Sequence, residues 1–339
     1  MHEHQEARLN KQSFVGVDVS AKTLAVIVEQ DGARGQVLDF ANDRAGHKKL
    51  VALVTRRGRH ARVVLEATGN YSLDLAFALH RAKRIEVMVA NPRALSQFAG
   101  AFLRRSKTDA IDAEVILEFA KRMPFKAWVP PEPVCLDLRA ISRRIESLTK
   151  TATQEKNRLH AADSFDEMSA VVRNDIEVNI RHLEKRIERL REQALELIAE
   201  HPELAQNFKH ITSIKGIADA AGIQILAEIA VLPKDMSVRE WVAHAGLDPR
   251  QFQSGTSVNK PARISRRGNR HIRRGLFMPT IVAVQHEPNI KAFYEKLLGR
   301  GKTKMQANVA VMRKLLHAIY GMTKHDRDFE GDKFYMIGA

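Results

Sequence analysis

A single cysteine, Cys135, stands among 339 residues. No disulfide can form within the chain, which fits a reducing compartment and leaves Cys135 a structural residue. No apolar run approaches the ~20 residues that cross a bilayer, so no membrane association is expected. The polar opening, Met1 to Arg8, lacks the apolar stretch of a secretory signal, and the expected location is the cytoplasm, at the nucleoid. Glycine is missing where a nucleotide phosphate loop would need it. Val19-Ser-Ala-Lys-Thr23 has none, which argues against sugar-kinase and actin-like ATPase chemistry. The tryptophans, Trp128 and Trp241, are isolated and read as core or interface rather than base-stacking platforms. His2 and His4 read as part of an unstructured tail.

What the chain has in excess is positive charge: 55 Lys+Arg against 40 Asp+Glu, a formal net charge of +15. Neutralising nucleic-acid phosphates releases condensed counterions, so such an excess favours a phosphate-rich partner, with a plain solvated basic surface as the alternative. Charge does not separate DNA from RNA.

Residues 14 to about 122 alternate strand-like and helix-like segments. Phe14–Val19, Leu24–Val28 and Gln36–Phe40 read as three successive strands, followed by a helix over Ala45–Val54. Arg62–Leu65 and Ile85–Val89 read as further strands. Leu73–Ala82, Pro92–Phe102 and Asp109–Arg122 read as helices. Three strands followed by alternating helices and strands is the order of the α/β ribonuclease H-like fold. Pro124, Pro130, Pro131 and Pro133 then mark a boundary. Beyond it, Ile176, Ile180, Leu183, Ile187, Leu190, Ala194 and Leu197 recur at coiled-coil spacing. This seam could serve self-association, or pack against a basic helix over Leu136–Leu159 in a hairpin within the monomer. From Asn207 onward the chain reads as helical.

Four carboxylates carry the chemistry. Asp18 lies in an apolar strand, where a carboxylate is costly without a cation or hydrogen bonds. Glu66 follows Val63-Val64-Leu65 at the end of a strand expected to neighbour the first. Asp109 and Asp112 are three residues apart at a helix start and project from nearly one face. Hard oxygen ligands of this kind suit Mg²⁺ or Mn²⁺, and paired ions about 4 Å apart can serve phosphodiester chemistry.

A second chemistry lies downstream. Ala245-Gly-Leu-Asp-Pro-Arg-Gln-Phe-Gln-Ser-Gly-Thr-Ser257 holds two loop serines, Ser254 and Ser257, followed by Arg263, Arg266, Arg267, Arg270, Arg273 and Arg274 in a segment without an acid. A serine hydroxyl beside such a cationic cluster can attack phosphorus if a base or metal activates it. Thr212-Ser-Ile-Lys-Gly-Ile-Ala-Asp-Ala-Ala-Gly222 resembles a helix-hairpin-helix, a turn that presents backbone N–H groups to DNA phosphates; an ordinary packed helical turn is the alternative.

Gly16-Val-Asp18, Glu66-Ala-Thr-Gly, Lys107-Thr-Asp-Ala-Ile-Asp112, Ser254-Gly and the arginine segment together resemble the DEDD transposases of the one-ten family of bacterial insertion sequences, related to the pilin-gene DNA invertases. The resemblance spans almost the whole chain. It implies a RuvC-like domain over 1–125 whose Asp18, Glu66, Asp109 and Asp112 bind Mg²⁺. It further implies a linker and coiled-coil arm over 126–205, and a mainly helical transposase domain over 206–339 whose serine becomes covalently attached to DNA. That serine is expected to be Ser254, with Ser257 as the alternative. Lys107 and the six arginines are expected to bind nucleic acid. Site-specific recombination by dimers or tetramers, guided by an RNA from the element's non-coding end, is also implied. The competing expectations are a structure-specific nuclease that uses water as nucleophile and a non-catalytic nucleic-acid-binding protein.

Overall fold

β-branched runs near the N-terminus assemble the sheet of the first of two compact units, which divide at Pro130 and Pro131. The computed structural model describes residues 12–67, 69, 71–101, 108–162, 164, 169–254 and 258–338. In the first unit β1 (Gln12–Val19) and β2 (Thr23–Gln30) form an antiparallel pair, with Asp18 opposite Ala25. Short β3 (Ala33–Arg34) and β4 (Leu38–Ala41) both pair with β2. Helix α1 (Arg44–Val54) follows, opened by the Asp43 side chain, which accepts from the Gly46 N–H.

On the other edge of β1 lies β5 (His60–Glu66), parallel and in register from Gln12 opposite His60 to Val17 opposite Leu65. Helix α2 (Leu73–Arg81) crosses to β6 (Ile85–Ala90), parallel to β5. Two more helices, α3 (Pro92–Gly100) and α4 (Asp109–Arg122), complete the unit. The result is a mixed sheet, ordered β3-β2-β1-β5-β6 with β4 also on β2. The expected strands and helices are all present, with β3 added between the second and third.

Strand alternation sorts the two faces. Val15, Val17, Val63 and Leu65 pack against Leu50 and Val54 of α1 and Leu75 and Leu79 of α2. Val64 packs against Leu95 of α3 and Ile116 and Ala120 of α4, and Ala25 and Ile27 pack against Ala113 and Leu117. Asp18 and Glu66 share the parity of Phe14 and Val64, so both belong to the face that α4 covers.

The second unit begins with two 30-residue helices, α5 (Pro133–Ala162) and α6 (Ala170–Ala199). Leu148 and Ala152 of α5 meet Leu183 and Ile187 of α6, so the apolar seam finds a partner within the chain. At its C-terminal end the buried position is Ile198, with Leu197 half-buried. Next come α7 (Pro202–Thr212), α8 (Asp219–Ile229) and α9 (Val238–Ala245), then a two-stranded antiparallel hairpin, β7 (Pro249–Ser254) and β8 (Val258–Ile264). Four more helices finish the chain: α10 (Arg270–His286), α11 (Pro288–Gly299), α12 (Lys304–His325) and the single-turn α13 (Gly331–Phe334). Ile211, Ile214, Ile225, Leu226, Leu276 and Leu315 lie at the centre of this unit's core. Among the described residues, no helix is long and apolar enough to cross a membrane.

The turn from α7 to α8 is closely packed against α10. Gly216 has φ +104°, and a Cβ there would stand 2.9 Å from the Pro279 carbonyl and 2.8 Å from the Ala283 nitrogen of α10. The glycine serves close packing, and Asp219 places an acid in the first turn of α8.

Candidate active site

The register of the first unit brings the four carboxylates together. Glu66 ends β5, and Asp18 is next to the end of β1, one residue past the Val17–Leu65 pair. Helix α4 supplies the other two. Ala113, Ile116 and Leu117 bury against the sheet, and Asp109 and Asp112 sit one turn earlier on that same face, beyond the packed stretch. Thr108 fixes where the helix begins: its hydroxyl accepts from the Ile111 N–H at 3.3 Å.

Gly16 permits this approach. A Cβ on Gly16 would lie 2.4 Å from both the Ala113 carbonyl oxygen and the Leu117 nitrogen. The backbone of α4 therefore rests directly on β1, two residues from Asp18. Sequence reasoning quoted this glycine only as part of a motif; a glycine in the middle of an apolar strand is the signal for such a close backbone contact.

The electrostatics report the crowding. Burial, then the charges of Asp112, Asp109 and Glu66 in that order, push the Asp18 carboxyl up to about 6. Among the described residues, no group of three or more His, Cys, Asp or Glu side chains is closed around a metal-sized point. The donor set nonetheless fits a hard divalent cation, because it consists of carboxylates and a cation among them would offset their mutual repulsion.

Asn42 clips two of the loops that follow the acidic strands. Its Nδ2 donates to the Ser20 carbonyl at 2.8 Å and to the Tyr71 carbonyl at 3.1 Å. Its Oδ1 meets Nε2 of buried His47 at 2.8 Å. Neither residue was singled out from sequence, since the carbonyls that Asn42 joins are far from it in the chain.

In the second unit Ser254 is the last residue of β7, paired with Val258 at the head of the hairpin. The expectation of a loop serine is corrected here: pairing with Val258 extends β7 through Ser254. Ser257 and Lys107 lie outside the described residues.

The six arginines do not act alike. Arg273 donates to the Ala245 carbonyl at 2.7 Å, closing the C-terminus of α9, and burial lowers its pKa. Arg274 pairs with Glu146 of α5, which also holds His271 Nδ1. Arg263, Arg266, Arg267 and Arg270 are exposed. Between Ser265 and Asn269 the chain is knit to the loop after α9 by Ser265 N–H to the Asp248 carbonyl, 2.9 Å, and Arg266 N–H to the Gly246 carbonyl, 3.1 Å.

Beneath this segment lies a buried polar centre that sequence reasoning missed. Glu228, 1% exposed, accepts from Arg143 Nε at 2.7 Å and Nη2 at 3.0 Å, and from Asn269 Nδ2 at 2.6 Å. Burial alone would raise this carboxyl, but the bonds from Arg143 and Asn269 hold it below the ordinary glutamate range. The network joins the root of the arm, α8 and the N-terminus of α10.

Comparison with known proteins accounts for both units. A DEDD transposase model of the IS110 family matches residues 15–162, and a model described as "Transposase IS116/IS110/IS902 family" matches residues 208–295. The chain is 27% identical over 325 residues to the pilin gene-inverting proteins of Moraxella bovis and Moraxella lacunata, covering 94% of this chain and 98% of each relative. It is also 24% identical over 359 residues to the putative transposase y4qE of Sinorhizobium fredii, covering 94% of this chain and 90% of that protein. With the acid-bearing sheet unit and the serine- and arginine-bearing helical unit each matched by a model of one family, the chain belongs to the IS110 family of transposases, enzymes of DNA transposition and recombination.

Proposed function

We propose that this transposase cuts and rejoins DNA through a covalent phosphoserine intermediate, with Ser254 as nucleophile and Ser257 as the alternative. The observation that carries the reading is the half-buried Asp18 crowded by three other carboxylates at the ends of β1 and β5 and the start of α4. Carboxyls perturbed by burial and neighbouring like charge cluster at functional sites.

The mixed sheet, with antiparallel β1–β4 followed by parallel β5 and β6, supports a ribonuclease H-like, RuvC-like reading of the first unit. Asp18, Glu66, Asp109 and Asp112 would hold Mg²⁺, or Mn²⁺, which when bound supplies Lewis-acid polarisation of a phosphoryl oxygen. In the cleavage step the Ser254 hydroxyl gives its proton to a base, and its oxygen bonds to phosphorus. One bridging P–O bond breaks, and the departing deoxyribose oxygen takes a proton. Exposed arginines of the 263–270 segment offset charge on the phosphoryl oxygens. Rejoining is the same displacement in reverse, with a deoxyribose hydroxyl of the exchanged strand as attacker. This conserves the phosphodiester without external energy.

Guide RNA from the element's non-coding end is the partner that would supply target choice, since the basic surface can read a duplex by backbone and shape while pairing carries sequence. Dimers or tetramers, working at the nucleoid in the cytoplasm, would bring two DNA ends together. The names of the Moraxella relatives, which describe inversion of a pilin gene, support recombination as the outcome.

The test is incubation with element-end DNA, Mg²⁺ and flanking-element RNA, followed by a denaturing gel. A protein–DNA adduct absent from Ser254→Ala is expected. Undiminished cleavage by Ser254→Ala, with no adduct in either protein, would replace this mechanism with water-driven nuclease chemistry.

A further inference from the structure

We infer that the second unit holds a site for the sugar-phosphate backbone of a single DNA strand, in the cleft between the base of the β7–β8 hairpin and α12. The inference rests on the transposase reading and adds Lys302 and Arg313 to it as DNA contacts.

The cleft has a volume of about 710 Å³, and its charged lining consists of Arg263, Arg266, Lys302 and Arg313, with no acid among the lining residues. Leu247, Ile264 and Val309 contribute an apolar floor. That volume is on the scale of small-ligand sites, about 300–1,000 Å³, so it admits a short stretch of one strand and not a duplex. Cations around an apolar floor match the chemistry of such a stretch: phosphate oxygens meet the guanidinium and ammonium groups, and sugar carbons meet the floor.

Two further features fit an anion. Arg250 lies directly opposite Arg263 across the hairpin, and like charges so placed repel until an anion intervenes. Arg266 is held at φ +50°, a region that non-glycine residues seldom occupy, and the Arg266 N–H to Gly246 carbonyl bond helps fix it there. On α12 the cleft-lining Val309 and Arg313 are four residues apart on one face, with Lys302 just before the helix. The Thr303–Gln306 capping box fixes the start of that helix. The strand is assigned as DNA because the hairpin that forms one wall also carries Ser254.

The experiment measures binding of the full chain to a fluorescent single-stranded DNA oligonucleotide, and to RNA of the same sequence, across a tenfold range of salt. The double variant Lys302→Gln/Arg313→Gln is compared with Arg239→Gln/Lys291→Gln, which removes two exposed cations outside the cleft. Each phosphate contact on a single strand contributes about 0.7 to the slope of log affinity against log salt, so the cleft variant is expected to lose about 1.4 on DNA and the matched control far less. Equal slopes for the two variants would overturn the site, and a loss confined to RNA would overturn its assignment to DNA. The charge-preserving double Lys302→Arg/Arg313→Lys is expected to restore the slope. If it is as defective as the glutamine double, the effect is structural and the inference fails. A normal slope loss in a protein that forms no serine adduct would sink the covalent mechanism and leave the cleft standing.

Discussion

The acidic region of the first unit and the serine- and arginine-bearing region of the second achieve their chemistry by opposite means. The carboxylates sit at the ends of elements whose interiors are core: β1 and β5 are locked in parallel register, and α4 lies on β1 through Gly16 with no side chain between them. Their positions follow from packing, so the site is rigid and electrostatically tense. The serine region is a two-stranded hairpin and a loop, with its arginines divided between those that brace the fold and those that face solvent. One region concentrates like charge and resists relaxation; the other distributes charge. The difference teaches that a rigid site can be damaged from its scaffold, whereas a distributed one is damaged contact by contact.

Four substitutions would break or sharpen that contrast. Asp18→Asn is expected to abolish strand cleavage while raising the melting temperature of the metal-free protein, because it removes a crowded negative charge without changing shape. A calorimetric scan beside a cleavage assay checks both, and a lowered melting temperature would contradict the crowding. Gly16→Ala should cost about 1–3 kcal/mol or more by denaturant unfolding, since its Cβ would press on helix backbone that cannot rotate away. It should also cut activity without touching any acid. A neutral result there would mean that α4 is not held by this contact.

In the second region smaller effects are expected, and they should separate by role. Arg274→Ala loses the Glu146 pair and is expected to lower stability by up to about 1 kcal/mol, the range of partly exposed ion pairs. Arg270→Ala should leave stability within about 0.5 kcal/mol and weaken DNA binding instead. Matching unfolding curves and salt-dependent binding curves for the two proteins would erase the distinction.

The smallest effect concerns pH. Burial holds the His244 imidazole below its ordinary pKa despite the nearby Glu228. The unfolded chain therefore takes up this proton before the folded one does, and stability falls as pH drops below about 6.5 toward the folded-state pKa. Unfolding free energies from pH 8 to pH 5 should show that fall in the natural protein and a flatter profile in His244→Gln.

Much of the first unit was legible in the sequence because its signals are local. β-branched runs marked the strands, two acids marked the start of α4, and the prolines marked the division of the chain. The acids could be singled out one by one because each breaks an apolar pattern or crowds a helix start. The seam of α6 was also legible, and its occupant was narrowed to another copy or the helix over Leu136–Leu159; the fold decides for the helix, with Leu148 and Ala152 against Leu183 and Ile187. The arginine segment read as a uniform cationic cluster, because nothing near Arg274 announces Glu146 and nothing near Asn269 announces Glu228.

The sequence by itself determined the main strands and helices of the first unit, the identity of the four carboxylates, and the pairing of an acid-bearing region with a serine- and arginine-bearing one. Those are properties of residue type and short spacing. From Asn207 onward the sequence read as helical and missed the β7–β8 hairpin, whose pairing only the fold decides. The tertiary structure alone decided that three other acids crowd Asp18, that Gly16 is the point of contact for α4, and that two arginines brace the fold while Arg263 and Arg266 line a cleft with Lys302 and Arg313. Each of those depends on distances between residues far apart in the chain, and electrostatic and packing energies follow distance in space.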